Sequence, residues 1–316
     1  MPKRLGSTRS RSSARPSNSM TEMQDSQKKP KRSLNLFDLA PGKTIVNRYK
    51  ILRPHRQGGM SATFEVEDEE TGEHRELQGF PVGLFADAAQ GREFAACFEP
   101  WKAFDSSTFL RLRDLRTFED GSVLIVTDFP EGQSLRSWLG EHGRMRPEDS
   151  VELGKSLLAG LVELHGAGLV HGDIKPATTF FKAGEQGAVL VDGGITSGLW
   201  EAKHLGTRTM LIGTPYYAPL EQFTGDAPDQ TSDIYAVATM LYEVMTGVLP
   251  WHGNNYIEVF QSKMQETPPR MAQRAPGVEI ASDLEAALVD GLRAKRRDRL
   301  ESAAEFLERL SAVTFS

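Results

Sequence analysis

Val170-His171-Gly172-Asp173-Ile174-Lys175-Pro176 lies between two apolar stretches, and its reading decides the fold. Upstream, residues 147–164 place Val151, Leu158, Leu161 and Leu164 at helical spacing behind a Pro and two acids, with Gly166 just beyond. That pattern predicts a helix that stops shortly before the stretch. Downstream, Ala188-Val189-Leu190-Val191 is a short apolar run that ends at Asp192-Gly193-Gly194. The segment between is therefore a polar loop held between buried elements, offering an Asp carboxylate and a Lys ammonium within reach of each other and closed by a proline.

The loop resembles the protein-kinase catalytic loop His-Arg-Asp-x-Lys-Pro-x-x-Asn, with Gly172 in place of the Arg and Thr178 in place of the Asn. From about Tyr49 onward further landmarks follow in that family's order. Asp192-Gly193-Gly194 stands where Asp-Phe-Gly belongs, and residues 213–222 (GTPYYAPLEQ) resemble the end of an activation segment in bacterial serine/threonine kinases. Thr231-Ser232-Asp233-Ile234-Tyr235-Ala236, running on to Gly247, resembles the family's central C-lobe helix, with Asp233 as anchor of the catalytic loop. Arg299 matches the partner of the activation-segment glutamate, Glu221.

The resemblance implies an α+β, bilobal fold. A small antiparallel-sheet N-lobe with its hinge is expected over residues 46–130, a larger helical C-lobe over 131–316, and a basic disordered tail over 1–45. It further implies Asp173 as catalytic base, Lys175 on phosphate and Asp192 on magnesium. Gly58, Gly59, Thr127, Asp128 and Phe180 would lie around ATP.

Against those retained groups stand several departures. The glycine-rich loop reads Arg56-Gln57-Gly58-Gly59-Met60-Ser61-Ala62-Thr63, in which only the middle glycine position keeps its residue; a bare glycine pair is otherwise simply a hairpin turn. The next strand, Thr71 to Gln78, puts Gln78 at the phosphate-pairing lysine and Glu76 where an alanine faces adenine. No lysine occurs from Ile51 to Trp101. Arg53, Arg56 and Arg75 are the remaining cations; Arg56 is the best placed of these, and solvation at the surface is its expected fate. Pro100 interrupts the helical pattern over residues 91–104, where Cys97 falls near the expected acid and Glu93 and Glu99 are imperfect substitutes. In the hinge, Thr127 takes the gatekeeper position, and Pro130 removes a backbone N–H that adenine would use. Phe180 replaces the leucine of the adenine floor, either to stack on the base or to fill its cavity.

Composition fits one bilobal globular body: 316 residues, 39% hydrophobic and 25% charged. A single cysteine, Cys97, and the lack of any apolar run of the ~20 residues a membrane helix needs favour a reducing, cytoplasmic setting. The first 33 residues carry nine Lys/Arg against Glu22 and Asp25, a net of +7; with −6 for the whole chain, −13 is left on the rest. This Ser/Arg/Lys/Pro-rich segment reads as disordered. Nucleic acid, an anionic membrane or the chain's own acidic body are its candidate contacts, a solvated extension or a transit peptide the alternatives.

Taken together, the sequence favours a pseudokinase that regulates or scaffolds a protein partner with weak or no use of ATP and magnesium. The alternative is an active serine/threonine kinase that transfers the ATP γ-phosphate to a protein hydroxyl. A nucleotidyl transfer with ATP bound differently is a third reading that no residue positively supports.

Overall fold

Strand alternation near the start of the chain builds a sheet with two unlike faces. The structure, a computed structural model, describes residues 33–34, 39–57, 60–181, 187–203, 215–264 and 267–315. The expected glycine contacts Gly58 and Gly59, and most of the basic tail, fall outside these residues. Strands β1 (Thr44–Ile45), β2 (Tyr49–Gln57), β3 (Ala62–Asp68), β4 (His74–Phe80), β5 (Leu112–Thr117) and β6 (Val123–Asp128) form an antiparallel sheet in the order β1-β2-β3-β4-β6-β5.

Because successive strand residues face opposite sides, Leu77 of β4 and Leu124 and Val126 of β6 enter an outer cluster with Tyr49, Ile51, Phe64 and Val66. Phe80, Val123 and Ile125 face inward to the main core. Glu76 and Gln78 share that inward parity, so both polar side chains are directed under the sheet and are buried there. Leu34 and Leu39 also belong to the outer cluster, and β1 pairs with β2, so packed residues occur ahead of the boundary expected at 45/46.

Between β4 and β5 runs α1 (Ala88–Ala96), capped at its start by the Asp87 carboxylate. Pro100 does not continue it; a 3₁₀ turn, Pro100–Lys102, follows instead. Past β6, β7 (Gln133–Ser134), β8 (Thr179–Phe181) and β9 (Val189–Leu190) make a small antiparallel sheet that frames the catalytic-type loop.

The rest is helical: α2 (Leu135–His142), α3 (Pro147–Gly166), α4 (Ile195–Ala202), α5 (Leu220–Thr224), α6 (Gln230–Thr246), α7 (Tyr256–Lys263), α8 (Met271–Arg274), α9 (Ser282–Gly291) and α10 (Ala303–Ser311). The helix predicted over 147–164 is α3, opened by Pro147 with Glu148 and Asp149 in its first turn. Asp229 and Ser232 form a capping box for α6, whose residues from Ser232 to Thr246 are all buried, and Gly247 ends it in the left-handed region at φ 75°. Helix α6 is thus the spine of the C-lobe, packed against α3 and α9.

Candidate nucleotide cleft

The catalytic-type loop is held from below by α6. Asp233 accepts the backbone N–H groups of His171 (2.9 Å) and Gly172 (2.8 Å) and contacts His165 Nε2 (3.0 Å). Gly172 sits at φ +82°, a conformation that suits glycine far better than the arginine of the loop motif it resembles. Burial pushes the His171 pKa down, and the neutral ring fits its partners: Nδ1 accepts the Asp173 N–H at 3.2 Å while Nε2 faces the Val191 carbonyl at 3.0 Å.

On this base Asp173 and Lys175 come together as an ion pair. Burial lifts the Asp173 carboxyl above its ordinary range, against the opposing pull of Lys175. Thr178 turns inward: its hydroxyl lies 2.9 Å from the Asp173 carbonyl and accepts the Lys175 N–H at 3.1 Å. Its oxygen therefore closes the loop on itself.

Asp192, two residues past the end of β9, adopts φ 66°. Its carboxylate is fully engaged. Arg56 meets it bidentately, Nη1 to Oδ2 at 2.7 Å and Nη2 to Oδ1 at 2.7 Å, and Gln78 Nε2 donates to the same Oδ1. The guanidinium also binds Glu76, Nε to Oε2 at 2.9 Å and Nη2 to Oε1 at 2.5 Å, and His55 Nδ1 lies 2.7 Å from Oε2.

Arg56 is only 16% exposed and Glu76 1%, so Arg56 is a largely buried bridge, which corrects the expectation of a solvated surface cation. Burial would lift the Asp192 carboxyl, but Arg56 and Gln78 hold it below the usual carboxylate range. A buried carboxylate such as Glu76 would be costly alone, and Arg56 is the charge that offsets it.

His55 fills the neighbouring space. Its ring lies 4.6 Å from that of Phe129 in the hinge and 6.3 Å from that of Phe180, and the Arg56 guanidinium carbon is 6.0 Å from the Phe180 centroid. Thr127 bonds the Asp128 carbonyl, and the Asp128 carboxylate is taken up by Arg75 and Arg113. The cavity that touches Glu76, Gln78, Thr127 and Asp192 holds about 40 Å³, whereas small-molecule pockets typically span ~300–1,000 Å³.

The helix side of the cleft differs from sequence expectation in its packing. Glu99 pairs with Lys102 at 2.8 Å and Glu93 is exposed on α1. Trp101 reaches inward from the 3₁₀ turn and lies on Gly193 and Gly194: a Cβ built on Gly193 would meet the indole at 2.5 Å, and one on Gly194 at 2.7 Å. The indole thus takes space that a side chain at residue 193 would need.

Magnesium, which the resemblance places on Asp192, does not fit this arrangement, because both Asp192 oxygens are bound to Arg56 and the Thr178 oxygen is turned into its own loop. Among the described residues no group of three or more His, Cys, Asp or Glu side chains is placed to hold a metal ion.

Comparison with known proteins gives the class. The protein kinase domain family matches residues 101–310, and the chain belongs to that family. It is 28% identical over 278 residues to the serine/threonine-protein kinase pkn3 of Myxococcus xanthus, covering 86% of this chain and 51% of that protein. Serine/threonine-protein kinase PknB of Mycobacterium leprae is 30% identical over 181 residues, covering 57% of this chain and 29% of PknB. The chain thus spans about half, or less, of the length of these relatives. Among solved structures, the Mycobacterium tuberculosis PknI kinase domain aligns with TM-score 0.68 at 22% identity, covering 86% of this chain and 98% of that one. The fold is the bilobal α+β protein-kinase fold.

Sequence reasoning singled out Asp173, Lys175, Asp192, Thr127, Asp128, Phe180 and Arg56, and missed His55 and Trp101. The signal for Trp101 was a complementarity: a lost aromatic at Gly193 beside a gained one after Pro100.

Proposed function

We propose that this chain is a pseudokinase that binds and regulates protein partners, with weak or no use of ATP and magnesium. One observation carries the reading: the chain's own His55 and Arg56 occupy the cleft, His55 beside Phe129 and Phe180, Arg56 across Glu76 and Asp192. A nucleotide entering there must displace a partly buried ion-pair network, and the missing lysine at Gln78 leaves no ammonium on that strand to meet its phosphates. Pro130 in the hinge removes one adenine hydrogen bond, worth ~1 kcal/mol.

A second reading, phosphotransfer to a Ser/Thr hydroxyl, is favoured by the Asp173–Lys175 pair on its Asp233 anchor, a loop frame suited to orient a hydroxyl. Relatives named as serine/threonine kinases also support it. In that reading Asp173 is the base, Lys175 meets phosphate and Asp192 must first be freed from Arg56.

Among the described residues no helix is long and apolar enough to cross a membrane. We place the chain in the cytoplasm on its single cysteine, and assign its basic tail to anionic surfaces, nucleic acid or membrane.

A γ-phosphate transfer assay with labelled ATP, magnesium or manganese, and the full chain decides between the readings. The expected result is no transfer above an Asp173→Ala control. Transfer that Asp173→Ala and Asp192→Ala both abolish would establish the second.

A further inference from the structure

We propose that the outward side of α7 is a protein-docking face, and that its occupant is a basic helix of a partner protein laying an apolar row along it. The inference deepens the reading of the chain as a binder of protein partners and is independent of nucleotide.

Among the described residues seven large hydrophobic side chains are exposed, and three of them, Tyr256 (58%), Ile257 (53%) and Met264 (60%), belong to α7 and its C-cap. Val259, Ser262 and Lys263 face the other way and are buried, with Lys263 Nζ donating to the Tyr216 and Ala218 carbonyls. The helix is thus fixed to the C-lobe along one side and exposed along the other. Tyr256, half-buried Phe260 and Met264 stand four residues apart, and Ile257 seven before Met264, so they form one row. Phe223 of α5 backs that row, stacked 6.4 Å from Tyr256 and 5.5 Å from Phe260. Aromatic rings and methionine without charges are the composition of an interface centre. Glu258 is the one exposed charge on α7, and its carboxylate is turned back onto the Asn254 N–H (2.7 Å) and the Asn255 amide (2.8 Å) at the helix start.

The row fixes the shape of the occupant and the surrounding charge fixes its sign. Residues 256–264 span ~12 Å, about two helical turns, which matches the apolar row of an amphipathic helix. Beyond the row, Met264 borders an open groove of about 1000 Å³ that also touches Leu220. That groove sets no sign: its lining has five cations and four carboxylates, and one of the cations, Arg299, is bound to Glu221. On the α5 side the balance is negative. With Glu221 held by Arg299, Arg296 faces both Asp226 (3.3 Å) and Asp229 (3.1 Å), two carboxylates for one guanidinium, and Glu258 adds a third. Residues 34–316 as a whole carry −13. Two such bodies repel, whereas a basic partner is steered toward the face.

The test uses the full chain and two fluorescent two-heptad peptides, one of leucine and lysine, the other of leucine and glutamate, read by anisotropy. The leucine–lysine peptide is expected to bind the unaltered chain saturably and the leucine–glutamate peptide not to bind. Ile257→Asp with Met264→Asp is expected to weaken binding about tenfold or more. Those substitutions add negative charge, so attraction by charge alone would leave the affinity unchanged or raise it. Both side chains are exposed, and an unchanged Tm is expected; Ile257→Ser with Met264→Ser serves if the first variant melts lower. Equal binding by a folded variant, no binding of the basic peptide, or equal binding of the acidic one would overturn the proposal. So would self-association in sedimentation equilibrium, or adhesion to neutral phosphatidylcholine vesicles, that the variant abolishes, since either assigns the face to another occupant. Failure here leaves the pseudokinase reading to its transfer assay, which does not involve α7.

Discussion

Lys263 shows how far a single residue can depart from its usual place. It is 1% exposed at the end of α7, with Nζ donating to the carbonyls of Tyr216 (2.9 Å) and Ala218 (2.6 Å) and lying over the rings of Tyr235 and Phe223. Those carbonyls belong to the end of the activation segment, so this amine ties that segment to α7. Burial pushes its pKa well below the ordinary 10.5, with nearby Arg299 adding to the effect. A lysine whose folded pKa is depressed binds its proton more weakly in the folded than in the unfolded state. Stability therefore rises with pH between the folded value and 10.5, and below that window the full penalty applies. Lys263→Met keeps the volume and removes the titration. Its stability advantage over the unaltered chain should shrink as pH is raised toward 10.5, measured by urea denaturation at a series of pH values; a difference that stays flat with pH contradicts the depressed pKa. Arg299 beside it is 0% exposed and bonds Glu221 at 2.8 Å and 3.2 Å and the Thr231 carbonyl at 2.9 Å. Removing either partner leaves the other charge buried, so Glu221→Ala and Arg299→Ala should each lose ~3 kcal/mol or more in the same denaturation experiment, and unchanged stability in both would contradict the pairing.

Elements carry the coupling that single residues cannot. Trp101, in the 3₁₀ turn after α1, packs on Gly193 and Gly194, while Gly198 of α4 lies against Phe94 and Cys97 at the end of α1. The turn after β9, the helix that follows it and α1 therefore form one packed unit, and Asp192 sits at its edge. Trp101→Ala should cost ~3 kcal/mol or more as a cavity forms. Gly193→Phe alone should also destabilise, because the indole already holds that space. Combined, they should be far less harmful than the sum, since the new ring enters the vacated volume; strict additivity in a chemical-denaturation cycle contradicts the replacement. Helix α3, the α6 anchor and the Glu221–Arg299 pair were legible because start signals, periodicity and family spacing all agree there. The inward turn of His55 and Arg56 was not, since β2 shifts register between Ile51 and Arg53 and again between Pro54 and Gln57, which breaks the alternation that assigns faces. Trp101 was hidden for another reason: its partner is ninety-two positions away in sequence and is a glycine, which has no side chain to signal contact.

At the scale of the whole molecule, a C-lobe frame that matches the family's landmarks adjoins a cleft lined by the chain's own charged and aromatic side chains. Asp233, His171, Arg299 and Glu221 hold the C-lobe and its loop, while residues 55, 56, 76, 78 and 101 occupy the space between β2, β4 and β9. Charge is also divided, with +7 on the first 33 residues and −13 on the rest. Any association made through the tail should weaken steeply as salt rises. Binding of the full chain to anionic vesicles or to nucleic acid at low salt is expected to exceed that of a chain lacking residues 1–33, and equal binding would show the tail to be a solvated extension. The proposed pseudokinase role rests on a narrower point, that His55 and Arg56 occupy the cleft. Calorimetric titration of ATP, with and without magnesium, into the unaltered chain and into one carrying His55→Leu with Arg56→Gly tests it most directly. No saturable heat is expected from the unaltered chain, and measurable binding once both side chains are removed. Saturable Mg-ATP binding by the unaltered chain, as tight as that of the opened variant, would contradict it.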